Sequence, residues 1–413
     1  MLHTISDSYR PRLIQRAWTR ASEQFAVLLL TGPRQVGKTT CLRHLAEPGR
    51  TYVTLDDLAL RDLARCDPAL FLQRFPAPLL IDEIQYAPEL LPYLKMQADE
   101  AHRPGLFWLT GSQQFPLMRG VTETLAGRVA VLNLFGFAAR EADGRELDLP
   151  PFLPAPAVVA QRAASAVELD APALFRRLWR GQYPALWAGG IEDVELFYRS
   201  YVQTYLERDV RDLLNVGDLT TFRRFLRSAA ARTAQLLNYA DLARDTGVSL
   251  NTAKQWVSVL VASGQVHLLP PYHTNVTRRL CKTPKLYFLD TGLAAYLTEW
   301  RTPETLGAGA MSGAIFETAV VTEILKSWWH QGLEPPAYFY RDSDGREVDL
   351  VLVSDGRLYP VEAKQAGLVS ARDLHLAPLR SLPLELGPGA VVCLAPRQLP
   401  LSREVEAVPV GMV

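Results

Sequence analysis

Residues 32–39 read Gly-Pro-Arg-Gln-Val-Gly-Lys-Thr and match the pattern G-x-x-x-x-G-K-[ST]. A working loop of this kind admits few folds, because it must connect the end of a strand to the first turn of a helix. The flanks agree: residues 25–30 form an apolar, strand-sized run, and residues 39–46 follow with a helical pattern. The physics asks for each part. Glycine is needed where side chains would collide with a wrapped phosphate. Lys38 neutralises the β- and γ-phosphates, Thr39 offers a hydroxyl to Mg²⁺, and the helix adds its positive end. The expected nucleotide-binding set is Gly32, Pro33, Arg34, Gln35, Val36, Gly37, Lys38, Thr39 and Thr40, and the expected cofactors are ATP and Mg²⁺. There is no Asn-Lys-x-Asp run to read guanine, which favours ATP over GTP.

Apolar runs recur at residues 52–55, 79–81, 106–109 and 129–134, with helical patterns between them, as at 88–101. That alternation predicts an α/β fold with a parallel sheet. The third run, Leu79-Leu80-Ile81, ends in Asp82 and Glu83. An acid at that strand end holds Mg²⁺ through water, which suits Asp82; Glu83 is then placed to polarise the attacking water. The fourth run ends in Thr110-Gly111-Ser112-Gln113, where a polar side chain such as Ser112 senses the γ-phosphate or merely caps a turn. Arg128, just before the fifth run, reaches a nucleotide in its own or a neighbouring subunit, or is a plain surface residue.

Taken in order, the loop, Asp82-Glu83, Leu109-Thr-Gly-Ser-Gln113 and Leu125-Ala-Gly-Arg128 resemble the prokaryotic AAA-type ATPases that carry an uncharacterised C-terminal domain. Residues 201–210, Tyr-Val-Gln-Thr-Tyr-Leu-Glu-Arg-Asp-Val, resemble that family too. The resemblance spans nearly the whole chain and implies Glu83 as catalytic base.

At 413 residues the chain suggests several domains. The Pro- and Ala-rich stretch 149–157 suggests a first boundary. The expected division is an ATPase domain over 1–155, a helical connector over 156–237, a winged helix-turn-helix over 238–300 and a further α/β domain over 301–413. Lys plus Arg, 44, equals Asp plus Glu, 44, so binding to nucleic acid must come from local patches. Residues 1–10 have no apolar core and do not read as a signal peptide, and no apolar run is long enough to span a bilayer. Cys41, Cys66, Cys281 and Cys393 show no metal or disulfide spacing, and the expected compartment is the cytoplasm.

Residues 238–264 read as helix, turn, helix, with Gly247 in the turn and Ser249 as N-cap. Leu250, Ala253, Val257 and Leu260 form the expected apolar face, leaving Asn251, Thr252, Lys254 and Gln255 outside. A hairpin follows, from residues 265–269 to 285–289, whose loop carries Arg278, Arg279 and Lys282. Lys254, Gln255, Arg278 and Arg279 are the expected DNA contacts. The same unit also serves elsewhere as a packing module, and both readings stay open.

Residues 347–364 read as two strands joined by Asp355-Gly356. Pairing Ser354 with Arg357 sets Asp349 opposite Glu362 and Glu347 opposite Lys364, all on one face. Two opposed carboxylates repel, so a divalent cation or nearby basic groups must offset them. Asp349, Glu362-x-Lys364 and the upstream Glu317 resemble the PD-(D/E)XK nuclease core. That resemblance implies Mg²⁺ on Glu317, Asp349 and Glu362, with Lys364 assisting the attacking water. Pro360 fits such a strand best at an edge. An inactive relic with a Glu347–Lys364 ion pair is the alternative. Two functional classes follow: an ATPase that engages, remodels or cleaves DNA, and an ATP-dependent switch that docks a protein partner. A homo-oligomer is compatible with either.

Overall fold

The computed structural model describes residues 9–111, 120–121, 124–145, 147–188, 190–206, 219–273 and 283–413. They form two compact units: Met1–Phe137 with Ala262–Gly264 and Trp329–Leu333, and Ala138–Val261 with Gln265–Trp328 and Glu334–Val413.

The first unit runs α1 (Ile14–Ser22), β1 (Val27–Thr31), α2 (Lys38–Leu45), β2 (Thr51–Thr54), α3 (Leu58–Cys66), α4 (Pro68–Arg74), β3 (Leu79–Asp82), α5 (Leu90–Ala101), β4 (Phe107–Thr110) and β5 (Val129–Asn133). The five strands make one sheet, β2-β3-β4-β1-β5, and every pairing is parallel. Parallel neighbours need crossovers, which the helices supply. β1 lies between β4 and β5 and is buried along its whole length, hence its unbroken apolar run. Asp57 and Asp67 cap α3 and α4 through their carboxylates. Since all five strands point one way, Thr31, Thr54, Asp82, Thr110 and Asn133 end on one edge.

The second unit opens with α6 (Ala139–Asp143), α7 (Pro156–Ala163), α8 (Ala171–Arg180), α9 (Val194–Tyr201) and α10 (Leu219–Ala230). Next come β6 (Gln235–Leu236), α11 (Tyr239–Thr246), α12 (Leu250–Ala262), β7 (Val266–Leu269) and β8 (Lys285–Phe288). The three strands form an antiparallel sheet, β6-β8-β7. The expected turn chemistry is present. Gly247 is left-handed at φ 72, and Ser249 Oγ accepts from the Thr252 amide at 3.0 Å. One position departs from expectation. Leu250 is 45% exposed, and Trp256 and Val259 join Ala253, Val257 and Leu260 in the buried face. Leu250 opens the helix and precedes the turn that packs.

After α13 (Thr291–Leu297), α14 (Pro303–Ala308) and α15 (Ser312–Trp329) the chain builds a larger sheet. Its strands are β9 (Ala337–Arg341), β10 (Glu347–Ser354), β11 (Arg357–Ala363), β12 (Glu385–Leu386), β13 (Gly389–Cys393), β14 (Leu399–Pro400) and β15 (Val405–Pro409). The order is β14-β15-β13-β11-β10-β9, with β12 also on β11. The β10–β11 hairpin has the expected register, Ser354↔Arg357 through Leu350↔Val361, closed by left-handed Asp355 and Gly356. Pro360, however, is not on an edge strand, since β11 lies between β10 and β13. On that side β12 pairs Arg357 and Leu358, and β13 begins at Val361. Pro360 falls at the break between them, where a residue without an N–H fits. Among the described residues no helix is long and apolar enough to cross a membrane.

Candidate functional site

The phosphate-type loop leaves the C-terminal end of β1 and enters α2. Two of its glycines are forced by geometry. Gly32 has φ 140, and a Cβ there would lie 2.0 Å from the Leu134 carbonyl oxygen. Gly37, at φ 85, is the left-handed N-cap of α2. Between them, Gln35 also has positive φ and Val36 is buried. Lys38 is buried, and its Nζ donates to the carbonyls of Gly32 (3.0 Å) and Pro33 (2.8 Å). Arg12 braces the loop from outside, donating to Val36 O at 2.7 Å and to Phe135 O at 2.7 Å.

Asp82 gathers three hydroxyls from three other places in the chain. Its Oδ1 accepts from Thr39 Oγ1 at 2.7 Å and from Thr110 Oγ1, and its Oδ2 accepts from Tyr52 OH at 3.1 Å. Burial, then the Asp82 charge, pushes the Tyr52 phenol up to about 12. Glu83 is left-handed at φ 60, its amide donates to Thr110 Oγ1 at 3.2 Å, and its carboxylate accepts from Gln85. The Thr39–Asp82 pair is the donor set that suits a hydrated divalent cation beside a triphosphate, so these residues fit the Mg²⁺ complex of ATP. Thr110 belongs to the polar run 110–113 expected to meet the γ-phosphate or cap a turn, whereas Tyr52, the second residue of β2, carried no sequence signal. Ser112 and Gln113 lie outside the described residues. Arg128 precedes β5 at the opposite end of the sheet from the loop, since Val129 is level with Val27. It makes a surface ion pair with Asp99 at 2.5 Å, so within this chain it does not meet the loop.

A second cluster lies in the second unit, and it departs from the expected metal set. Glu317 projects from α15, Glu347 and Asp349 from β10, and Glu362 from β11. At their centre is Lys285 of β8, whose Nζ lies 2.8 Å from Glu317, 2.5 Å from Glu347 and 3.6 Å from Asp349. Tyr287 also donates to Glu317, at 2.7 Å. The expected Glu347–Lys364 pair does not form. Glu347 goes to Lys285 and to Arg341, while Lys364 pairs with Glu362 at 2.8 Å. Asp349 Oδ2 accepts from the Ala363 amide at 3.0 Å. Among the described residues no three acidic, His or Cys groups converge to hold a metal; Glu317, Glu347 and Asp349 face the Lys285 ammonium instead, and Glu362 faces Lys364. Burial, then the Asp349 charge, pushes Glu317 up to about 7 and Glu362 up to about 8. Burial alone would lower the Lys285 pKa, but Glu317, Asp349 and Glu347 outweigh it and hold it above the usual range. The sequence signal for Lys285 was a lysine opening an otherwise apolar strand.

On α12, Asn251, Lys254 and Gln255 are exposed as expected. Arg278, Arg279 and Lys282 lie outside the described residues, as do residues 207–210 of the Tyr201 motif.

Known proteins resemble this chain along most of its length. The description of an AAA domain matches residues 24–142. Two domains of unknown function, DUF8612 and DUF4143, match residues 171–304 and 312–413. An uncharacterized protein of Mycobacterium tuberculosis is 31% identical over 399 residues, covering 95% of this chain and 82% of that protein; one of Mycobacterium bovis matches equally. The chain belongs to their family and carries an AAA domain. Among solved structures, a Walker-type ATPase of Pyrococcus abyssi is 16% identical, with a TM-score of 0.42 over 69% of this chain and 94% of that one. RuvB of Thermotoga maritima is 19% identical, with a TM-score of 0.28 over 62% and 86%. The AAA domain match supports ATP binding and hydrolysis by this chain, and the matched stretch includes the loop of Lys38 and Thr39.

Proposed function

We propose that this ATPase works on the Mg²⁺ complex of ATP, with Glu83 as general base, and couples turnover to engagement of duplex DNA. Under this reading Thr39 and Asp82 hold the ion, residues 238–300 are a winged helix, and residues 301–413 have a PD-(D/E)XK-like fold. One observation carries the DNA part. The order α10-β6-α11-α12-β7-β8 with a β6-β8-β7 sheet is compatible with a winged helix, and the second turn helix keeps Asn251, Lys254 and Gln255 exposed. A second reading, a nucleotide-dependent switch that docks a protein and no longer cleaves anything, is favoured by Lys285 amid the acids. In either case Arg128, on the surface away from its own loop, is suited to serve a neighbouring copy in a homo-oligomer.

ATP turnover measured with and without duplex DNA, at graded salt and with Lys38→Ala as blank, separates the two. The DNA reading expects turnover to rise with DNA and the rise to fade as salt increases, because phosphate contacts release counterions. Turnover that ignores DNA yet vanishes in the blank removes the DNA reading and leaves the switch.

A further inference from the structure

The acidic cluster of the second unit already contains a cation. Four carboxylates, from Glu317, Glu347, Asp349 and Glu362, meet on two strands and one helix, and such a gathering is unstable without a positive charge among them. Lys364 and Arg341 serve its margins, through Glu362 and Glu347. The centre is served by Lys285, only 2% exposed, which comes from another sheet.

Its delivery is built into the backbone. Lys285 is paired with Leu269 across β7–β8. The chain leaving Leu269 is then stitched to β9, with Phe339 N donating to Pro270 O at 3.0 Å and Tyr272 N to Phe339 O at 2.6 Å. β9 is in turn paired with β10, which carries Glu347 and Asp349. Lys285 therefore enters the cluster from a fixed frame.

Lys285 Nζ lies 2.8 Å from Glu317 and 2.5 Å from Glu347, with Asp349 farther off at 3.6 Å, while Glu362 pairs through Oε1 with Lys364. One acceptor is left over. Glu362 is 4% exposed, and its Oε2 is buried with no hydrogen-bond partner. A divalent cation, which takes six or more oxygen ligands, would use an acceptor that the ammonium cannot reach.

We propose that the Lys285 ammonium is a built-in replacement for a divalent cation in this cluster, and that it keeps the site closed to metal. The inference does not depend on DNA binding or on the role of Glu83.

The test is a Mn²⁺ titration of the nucleotide-free full chain by calorimetry, with thermal unfolding in Mn²⁺ or in chelator. Wild type, Lys285→Met, Asp349→Asn and Lys285→Met/Asp349→Asn are compared, so that any Mn²⁺ held near Asp82 is common to all four. Lys285→Met is expected to gain a Mn²⁺ site about tenfold or more tighter than anything in wild type, to be stabilised by the ion, and to lose both with Asp349→Asn. A folded Lys285→Met with no gain overturns the proposal. So does a wild-type Mn²⁺ site that disappears in Asp349→Asn alone. If Lys285→Met is unfolded in chelator, recovery of the fold on adding Mn²⁺ supports the proposal, and failure to recover overturns it.

Discussion

Asp82 is the residue on which the first site turns, because it receives Thr39, Thr110 and Tyr52 at once and sits beside Glu83. Thr110 touches both acids, through its hydroxyl to Asp82 and from the Glu83 amide. A base and its aligner are expected to fail differently. Glu83→Gln should bind ATP as wild type does and turn over about 10²- to 10⁴-fold more slowly, the usual worth of a positioned base. Thr110→Val should lose a hydrogen bond to a charged group and slow turnover about ten- to a hundredfold. Phosphate release and nucleotide binding, measured on both variants, check this; unchanged turnover in Glu83→Gln removes it as the base. Lys38, Thr39, Asp82 and Glu83 were legible in the sequence because each follows its strand in unbroken succession. Thr110 was legible only as one of the polar residues 110–113, and Tyr52 was not, because only the register Thr54↔Asp82 brings its strand beside β3.

Elements decide where those residues can go. β1 and β5 run side by side as far as Thr31↔Asn133, so the loop starts against the residues that follow β5. That is why Gly32 has no room for a side chain, and why Arg12 can tie Val36 to Phe135. Gly32→Ala must push against a backbone carbonyl, which cannot swing away as a side chain would. The expected cost is about 1–3 kcal/mol, as for other forced backbone conformations, together with loss of ATP binding. Thermal unfolding and nucleotide titration of the variant check both; normal binding would mean that the loop does not depend on this approach. The helical and strand periods made most elements readable, including the helix-turn-helix and the β10–β11 hairpin. What they could not supply was neighbours in space. Pro360 was assigned to an edge because its place between β12 and β13 depends on strands that follow it in the chain.

At the scale of the whole molecule, two compact units make for two stabilities, and the Lys285 cluster gives the second a pH dependence of its own. Glu317 and Glu362 keep their protons in the folded chain up to about pH 7 and about pH 8, against 4.5 for an ordinary glutamate. Between those limits the folded state binds more protons than the unfolded one. The stabilisation is therefore complete below about 4.5 and is lost as pH rises through 7 and 8. The pair interacts through Asp349, so the two titrate together, in the presence of Lys285, Lys364, Arg341, Glu347 and Tyr287. Below pH 7 the buried His267, lowered to about 4 by burial, acts in the opposite direction, because the unfolded chain protonates it near 6.5. The unfolding step of the second unit is recognisable as the one that does not shift upward when ATP and Mg²⁺ are added, since the nucleotide stabilises only the unit that binds it. That step should move to lower temperature between pH 7 and pH 9, by the direction of both glutamate shifts. Glu362→Gln, which cannot ionise, should flatten the upper part of the fall and leave the lower part to Glu317. A midpoint that stays level or climbs across the range would mean that both carboxylates are already charged when folded, with Lys285 compensating Glu317 and Lys364 compensating Glu362.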